Sequence, residues 1–203
     1  MELLLIRHAL PVRIEAADGA ADPPLADLGH QQAAALAEWL AGEPLDVLLV
    51  SPMRRAIETA APVAERIGLE AVVVDGLAEH DRDSSWYIPI EEMRASGDPR
   101  WQEYLDEHWG VDPATDPDGF RAGVVRTVEG IIEANAGKRV AAVAHGGVIN
   151  SYVAHVLQTP TAGVFEPAYT SITRVLGAST GERMVKSMNE AAHVRGLLPP
   201  GSR

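Results

Sequence analysis

The chain has 203 residues, 46% of them hydrophobic and 23% charged, which is the length and composition of a single globular domain over residues 1–203 rather than of a disordered protein. Its formal net charge of −12 argues against nucleic acid or an anionic membrane as the main partner. The lack of cysteine excludes disulfides, thiolate metal sites and cysteine nucleophiles. Because neither a signal-peptide pattern nor an apolar run long enough to span a bilayer is found, we expect a cytoplasmic protein.

The chain begins with a short apolar run. Residues 3–6, with Pro11 close behind, predict a strand that is buried on both faces. This strand ends in Arg7 and His8. The predicted loop over residues 9–28 is long for a compact domain, and loops of this length often carry function.

Two predicted helices and a strand follow. Residues 29–40 have the apolar spacing of an amphipathic helix, with Asp27 as its N-cap. Residues 45–50 predict a second buried strand. Ser51, followed by a proline, is typical of a helix start with the serine as N-cap, and Pro62 is expected to kink or split this helix.

The second half of the chain is expected to complete the sheet. Residues 71–74 predict a third strand, and residues 75–118 are interpreted as one or two irregular helices that cover one end of the sheet. Helical spacing over 120–134 precedes a fourth strand at 139–144 and a further helix after His145. The last elements predict a hairpin: residues 171–176 and 183–187. Strands that alternate with helices predict a three-layer α/β/α fold with a mostly parallel central sheet and antiparallel strands near the C-terminus.

Three predicted strand ends carry residues that suit phosphate. Arg7 and His8 end the first strand, Arg54 and Arg55 follow the second, and His145 ends the fourth. If these strands are parallel, their carboxyl ends share the rim where open α/β sheets bind ligands. Guanidinium groups pair with phosphate oxygens, and imidazole can attack phosphorus or donate a hydrogen bond.

Ordered motifs run along almost the whole chain: Arg7-His8-Ala9, Leu25-x-x-x-Gly29-x-x-Gln32-Ala33, Ser51-Pro52-x-x-Arg55-Ala56-x-x-Thr59-Ala60, Leu77-Ala78-Glu79, Val143-Ala144-His145-Gly146-Gly147 and Asn189-x-x-x-His193. Together they resemble the histidine phosphatase superfamily, the group that contains the cofactor-dependent phosphoglycerate mutases. The resemblance implies a phosphoglycerate mutase-like fold. The phosphatase branch is favoured, since the chain is shorter than typical mutases.

The resemblance also implies a role for each matching residue. His8 would be the nucleophile that forms a phosphohistidine. Arg7, Arg55 and His145 would bind the phosphoryl oxygens and stabilise their negative charge during phosphoryl transfer. His145 would also be a catalytic residue. Glu79 would protonate the leaving oxygen and then help to activate water, with Asp81 as the alternative donor. No metal and no cofactor is implied, because the arginines and His145 neutralise the phosphate.

These roles imply a phosphatase of a small phosphorylated metabolite, with residues 76–118 as a cover over the active site. Two alternatives remain open: a phosphoglycerate mutase-type phosphoryl transferase, and a non-catalytic phosphate-binding module on the same fold. Residues 10–14 depart from the pattern that usually follows the histidine, which argues against mutase-type handling of phosphoglycerate. The same departure, with the open choice between Glu79 and Asp81 as the acid, motivates the non-catalytic alternative. The exposed face of the terminal hairpin is a candidate homodimer surface.

Three further side chains have more than one interpretation. The register of the motif selects Arg55, so Arg54 is expected to be solvated or paired with Glu58 one helical turn later. Trp86 and Tyr87 are interpreted as core of the cover region, with the lining of a leaving-group pocket as the alternative.

Overall fold

The computed structural model describes residues 1–102 and 119–198. Its strands form one sheet: β1 (Glu2–Arg7), β2 (Val47–Val50), β3 (Ala71–Val73), β4 (Arg139–Ala144), β5 (Ile172–Gly177) and β6 (Arg183–Glu190). Their spatial order is β3-β2-β4-β1-β5-β6. The first four strands in this order pair in parallel, β5 runs antiparallel to β1, and β6 runs antiparallel to β5. The mostly parallel sheet with an antiparallel terminal hairpin is therefore confirmed.

The helices named below are α1 (Asp27–Leu40), α2 (Arg54–Ile67), α3 (Ile90–Ser96), α4 (Phe120–Ala134) and α5 (Gly146–Leu157). α1 and α2 pack on one face of the sheet and α4 and α5 on the other, whereas α3 contributes to a separate apolar cluster. Alternate residues of β1 point to opposite faces, as in any strand. Leu3 and Leu5 join the core beneath α4 and α5, whereas Leu4 and Ile6 join the core beneath α1 and α2. Burial of each such side chain stabilises the fold by about 1.5–3 kcal/mol. The predicted three layers are thus confirmed. Among the described helices, none has the length and apolarity that crossing a membrane requires.

The start of α2 differs from the prediction. The helix begins at Arg54 with Met53 as its N-cap, and Ser51 does not cap it. The Ser51 hydroxyl is used elsewhere, because it lies 2.7 Å from Nε2 of His145. Pro62 does not split the helix, which runs on to Ile67.

The start of α1 also differs from the prediction. Ala26 is the N-cap, and Asp27 is the first helical residue. Asp27 is therefore an acidic side chain in the first turn of α1, where the helix dipole favours negative charge.

The loop between β1 and α1 is fixed against the body of the protein. The Leu10 amide donates to Oε1 of Gln32 at 2.9 Å, and the Leu10 carbonyl accepts from the Ala26 amide at 3.0 Å. A Cβ at Gly29 would overlap the Leu10 carbonyl, so this close approach requires glycine there. Gly29 and Gln32 of the first-helix motif therefore hold the chain directly after His8.

Within the described residues, the segment after β3 that is predicted to hold one or two irregular helices begins with short turns and continues into helix. Two 3₁₀ turns, Asp75–Leu77 and His80–Asp83, precede α3. Residue 87 forms an isolated antiparallel bridge with Ile14 of the β1–α1 loop. The part of the predicted cover over 103–118 lies outside the described residues. We call residues 79–91 the rim segment below.

Candidate active site

The carboxyl ends of β1, β2 and β4 bring the predicted phosphate-binding residues together. Arg7 pairs with Ala144 in the β1–β4 ladder, so His8 and His145 follow adjacent strand ends. The two imidazole centroids are 5.1 Å apart. Arg55 lies in the first turn of α2, directly after β2. All four of these charged or titratable side chains are buried.

The surroundings of His8 fix its tautomer and its charge. Nδ1 donates to the Ala9 carbonyl at 2.8 Å, which leaves the lone pair on Nε2. Burial, and then the positive charges of Arg55 and Arg7, hold the pKa of His8 well below its usual value. The imidazole is therefore neutral at neutral pH, which is the form that a nucleophile needs.

The surroundings of His145 suit a hydrogen-bond donor. Ser51 Oγ accepts from the Met53 amide at 3.3 Å and lies 2.7 Å from Nε2 of His145. In the tautomer in which the hydroxyl donates its own proton to Nε2, the ring proton resides on Nδ1. Nδ1 is buried and has no hydrogen-bond partner within the described parts of the chain. Burial, and then the charge of Arg55, lower the pKa of His145, so this neutral ring offers Nδ1–H to an anion.

Arg55 has donors left over. Its Nη2 donates to Oδ1 of Asp81 at 2.8 Å, and its Cζ lies 4.7 Å from the centre of the Tyr87 ring. Nε and Nη1 are buried and, among residues 1–102 and 119–198, have no hydrogen-bond partner. Unpaired donors on a buried cation are unfavourable, so they indicate a site for an anion. The adjacent Arg54 is exposed and pairs with Glu58 at 2.7 Å, as predicted.

Arg7 is held by groups that the sequence did not reveal. Its Nη1 donates to the Pro167 carbonyl at 2.6 Å and lies 3.6 Å from Oε1 of Glu91. Its Cζ lies 3.9 Å from the centre of the Tyr169 ring, and the Tyr169 hydroxyl donates to Oε2 of Glu91 at 2.9 Å. Burial raises the pKa of Tyr169 well above its usual value, so the hydroxyl stays a donor.

Glu79 lies where the rim segment meets α5. Its Oε2 accepts from the Gly147 amide at 2.7 Å, and its Oε1 accepts from the His80 amide at 3.0 Å. Nδ1 of His80 lies 3.0 Å from the same Oε1. A Cβ at Gly147 would overlap the Glu79 carboxylate, so glycine is needed there. The carboxylate is thus held beside the backbone that follows His145.

The two aromatic residues of the rim segment have different surroundings. Trp86 packs against the apolar cluster of Ile88, Ile90 and Met93. Tyr87 faces the guanidinium of Arg55 instead. Burial raises the pKa of Tyr87 to about 12, against the lowering effect of the nearby arginines, so its hydroxyl stays protonated at neutral pH.

The structure therefore gathers every predicted site residue at one rim: Arg7, His8, Arg55, Glu79 and His145. Asp81 adjoins them through Arg55. Within the described residues, no three histidine or acidic side chains are grouped as a metal ion would require.

Sequence comparison identifies the family. The profile of the histidine phosphatase superfamily (branch 1) matches residues 3–191. The chain belongs to this superfamily. Phosphoserine phosphatase 1 of Hydrogenobacter thermophilus is 31% identical over 114 residues. This match covers 55% of this chain and 54% of that relative, so it spans about half of the relative's length. The uncharacterized phosphatase PhoE of Bacillus subtilis is 26% identical over 189 residues, 89% of either chain.

Solved structures share the fold. A mycobacterial glucosyl-3-phosphoglycerate phosphatase superposes with a TM-score of 0.70 at 23% identity, covering 93% of this chain and 98% of that one. A variant of phosphoserine phosphatase from Entamoeba histolytica, in complex with phosphoserine, gives 0.71 at 22% identity and covers 95% and 98%. The resemblance predicted from the ordered motifs is confirmed, and so is the phosphoglycerate mutase-like fold of the histidine phosphatase superfamily.

Proposed function

We propose that the protein is a phosphatase that hydrolyses a small phosphomonoester through a phosphohistidine on His8. The observation that carries the proposal is the pairing of a neutral His8, with its lone pair on Nε2, and a buried Arg55 with two unpaired donors. A nucleophile and an anion site side by side suit phosphoryl transfer. Membership of the superfamily and the names of the two relatives support the same class of reaction.

The first step is attack on the ester. Nε2 of His8 forms a bond to phosphorus as the bond from phosphorus to the ester oxygen breaks. Arg7 and Arg55 stabilise the charge on the phosphoryl oxygens, together with Nδ1–H of His145. The backbone N–H groups that begin α5 add to this field, because the N-terminus of a helix attracts anions.

The leaving oxygen needs a proton, and we assign this role to Glu79. A phosphate dianion beside Glu79 disfavours a second negative charge, so binding of the ester favours the protonated acid. His80, whose side chain is 34% exposed, contacts the same carboxyl group and links it to solvent. Asp81 already accepts a hydrogen bond from Arg55, and we therefore assign it the role of positioning that guanidinium.

Water completes the reaction. Glu79, having given its proton to the alcohol, accepts one from a water molecule that attacks the phosphohistidine. The bond between Nε2 and phosphorus breaks, inorganic phosphate leaves, and His8 is neutral again. As substrate we propose a small phosphorylated metabolite, the class to which the names of the relatives point.

Hydrolysis of p-nitrophenyl phosphate by the wild type and by His8→Ala tests this proposal. His30→Ala serves as the control, since His30 is exposed on α1. Loss of the nucleophile should lower kcat/KM by about 10⁴-fold, and the control should leave it unchanged. A His8→Ala variant within tenfold of the wild type would contradict the mechanism.

The same assay separates the alternatives. A mutase would move phosphate within one substrate faster than it releases phosphate to water. A non-catalytic module would bind inorganic phosphate in calorimetry yet turn over no ester.

A further inference from the structure

The negative charge of the protein is concentrated in the predicted cover. Residues 76–118 contain twelve aspartate and glutamate residues against three arginines and no lysine, so nine of the twelve net negative charges belong to this segment. The described part of the segment reaches the candidate active site. The carboxylates of this described part are therefore relevant to what binds there.

Carboxylates of the rim segment lie against both arginines of the site. Oδ1 of Asp81 is 2.8 Å from Nη2 of Arg55, and Oε1 of Glu91 is 3.6 Å from Nη1 of Arg7. Glu79 adds a third carboxylate beside them. Three acidic groups thus surround two guanidinium groups, while burial keeps the two histidines neutral.

A bound phosphate makes the charge of this site strongly negative. The dianion of an ester adds two negative charges, and the sum stays negative even when Glu79 is protonated. Charges a few ångströms apart in a partly buried site interact strongly. A carboxylate on the alcohol part of the ester would therefore be repelled, whereas an ammonium group would be attracted.

The other arginines around the rim are already paired with carboxylates: Arg13 with Glu15, Arg82 with Asp75, Arg94 with Glu166 and Arg100 with Asp98. Their charge is matched within the protein. Asp81 follows Glu79 by two residues, and His80–Asp83 is one 3₁₀ turn. Glu79 is the N-cap of this turn, so if Glu79 serves the leaving oxygen, Asp81 stands on the turn next to that oxygen.

We propose that the site selects phosphomonoesters whose alcohol part carries an ammonium group over those whose alcohol part carries a carboxylate. This selectivity rests on the proposed function, because it assigns the substrate class of the same site. Asp81 and Glu91 determine it through their charge.

Three phosphonates that cannot be hydrolysed test the selectivity on the wild-type protein: propylphosphonate, 3-aminopropylphosphonate and 3-carboxypropylphosphonate. Calorimetry should give a Kd for the amine about tenfold or more below that of the carboxylate, with propylphosphonate between them. Equal affinities, tighter binding of the carboxylate, or no binding of any of the three would overturn the inference.

Matched variants test whether Asp81 and Glu91 cause the selectivity. Glu91→Gln and Asp81→Asn should each narrow the ratio of the two Kd values several-fold, because each removes one negative charge from the site. Glu92→Gln and Asp83→Asn make the same change at exposed neighbours on the same elements and should leave the ratio unchanged, since solvent screens them. A ratio that responds equally to both sets would overturn the assignment to Asp81 and Glu91.

Turnover separates this inference from the proposed function. If the protein prefers the ammonium phosphonate but hydrolyses none of O-phosphoethanolamine, phosphoglycolate and p-nitrophenyl phosphate, the selectivity stands and the phosphatase assignment fails. If it hydrolyses both esters but favours phosphoglycolate, the phosphatase assignment stands and the selectivity fails.

Discussion

The two halves of the candidate active site are built differently. Arg7, His8 and His145 stand at the ends of adjacent parallel strands, where ladder hydrogen bonds and two apolar cores fix the backbone. Glu79 and Asp81 stand on and beside a single 3₁₀ turn that side-chain hydrogen bonds hold in place. In the proposed mechanism, the strand-end half supplies what every phosphomonoester needs, a nucleophile and an anion site. In the same proposal, the rim half faces the alcohol part, which differs between esters. A rigid sheet with adaptable loops at its edge is a common way to combine the two.

The halves meet through identifiable contacts. Glu79 accepts a hydrogen bond from the Gly147 amide, and Asp81 accepts one from Arg55. Glu91, at the end of the rim segment, accepts one from the hydroxyl of Tyr169, whose ring stacks on Arg7. Because these contacts are specific, single substitutions can change one half and leave the other intact.

Glu79→Gln should give the largest difference in rate between esters with poor and with good leaving groups. Without an acid at the leaving oxygen, release of the alcohol from an alkyl phosphate should fall about 10³-fold in the first turnover. The same step with p-nitrophenyl phosphate should fall less than about tenfold, because that leaving group needs no proton. Asp81→Asn, the matched control, should slow both esters alike through Arg55. If Asp81→Asn instead shows the dependence on the leaving group, the two carboxylates have exchanged roles.

A change in the strand-end half should affect all esters equally. Arg55→Lys keeps the charge but loses the planar donor set, and kcat/KM should fall about 10²-fold for alkyl and aryl phosphates alike. Arg54→Lys, one residue earlier on the exposed face of α2, should change it by less than about twofold. Equal losses from the two variants would place the phosphate elsewhere.

The contact between the halves is tested by Gly147→Ala. The added methyl group displaces the Glu79 carboxylate, so hydrolysis of an alkyl phosphate should fall about tenfold or more while the inhibition constant of inorganic phosphate stays the same. Gly130→Ala is the control, since a Cβ there meets no neighbouring atom. Weaker phosphate inhibition in Gly147→Ala would show that the two halves are not separable.

The smallest effect concerns stability. The pKa of His8 and of His145 lies well below the usual 6.5 in the folded protein, so the unfolded chain binds more protons below that pH. The free energy of unfolding should therefore decrease as the pH falls below about 6.5, with about 1.4 kcal/mol per pH unit from each histidine. Urea unfolding of His145→Asn should show a slope shallower by that amount. An unchanged slope would mean that His145 is not held neutral.

Local patterns predicted the scaffold well. The apolar run 139–144 and the helical spacing of 120–134 match β4 and α4 residue for residue, because both signals lie within the element itself. Parallel topology brings the carboxyl ends of the strands to one rim, and this rule alone predicts His8 close to His145, as the structure shows.

Local patterns do not predict contacts between residues that are distant in the sequence. Ser51 looks like a helix cap but bonds to a histidine 94 positions later. Glu91 looks like an ordinary acid in the first turn of a helix, and only its burial beside Tyr169, 78 positions away, reveals its place in the site. No local spacing encodes such pairs, because they depend on how the rim segment packs on the sheet.

The central claim is that His8 carries the phosphoryl group, and trapping that intermediate tests it most directly. A reaction with p-nitrophenyl phosphate, quenched in denaturant at alkaline pH, should yield a phosphoryl group that is stable to base and labile to acid. Mass spectrometry of the digested protein should place it on the peptide that contains His8, and His8→Ala should abolish it. A wild-type enzyme that turns over without any such group, or that carries it on another residue, would contradict the account.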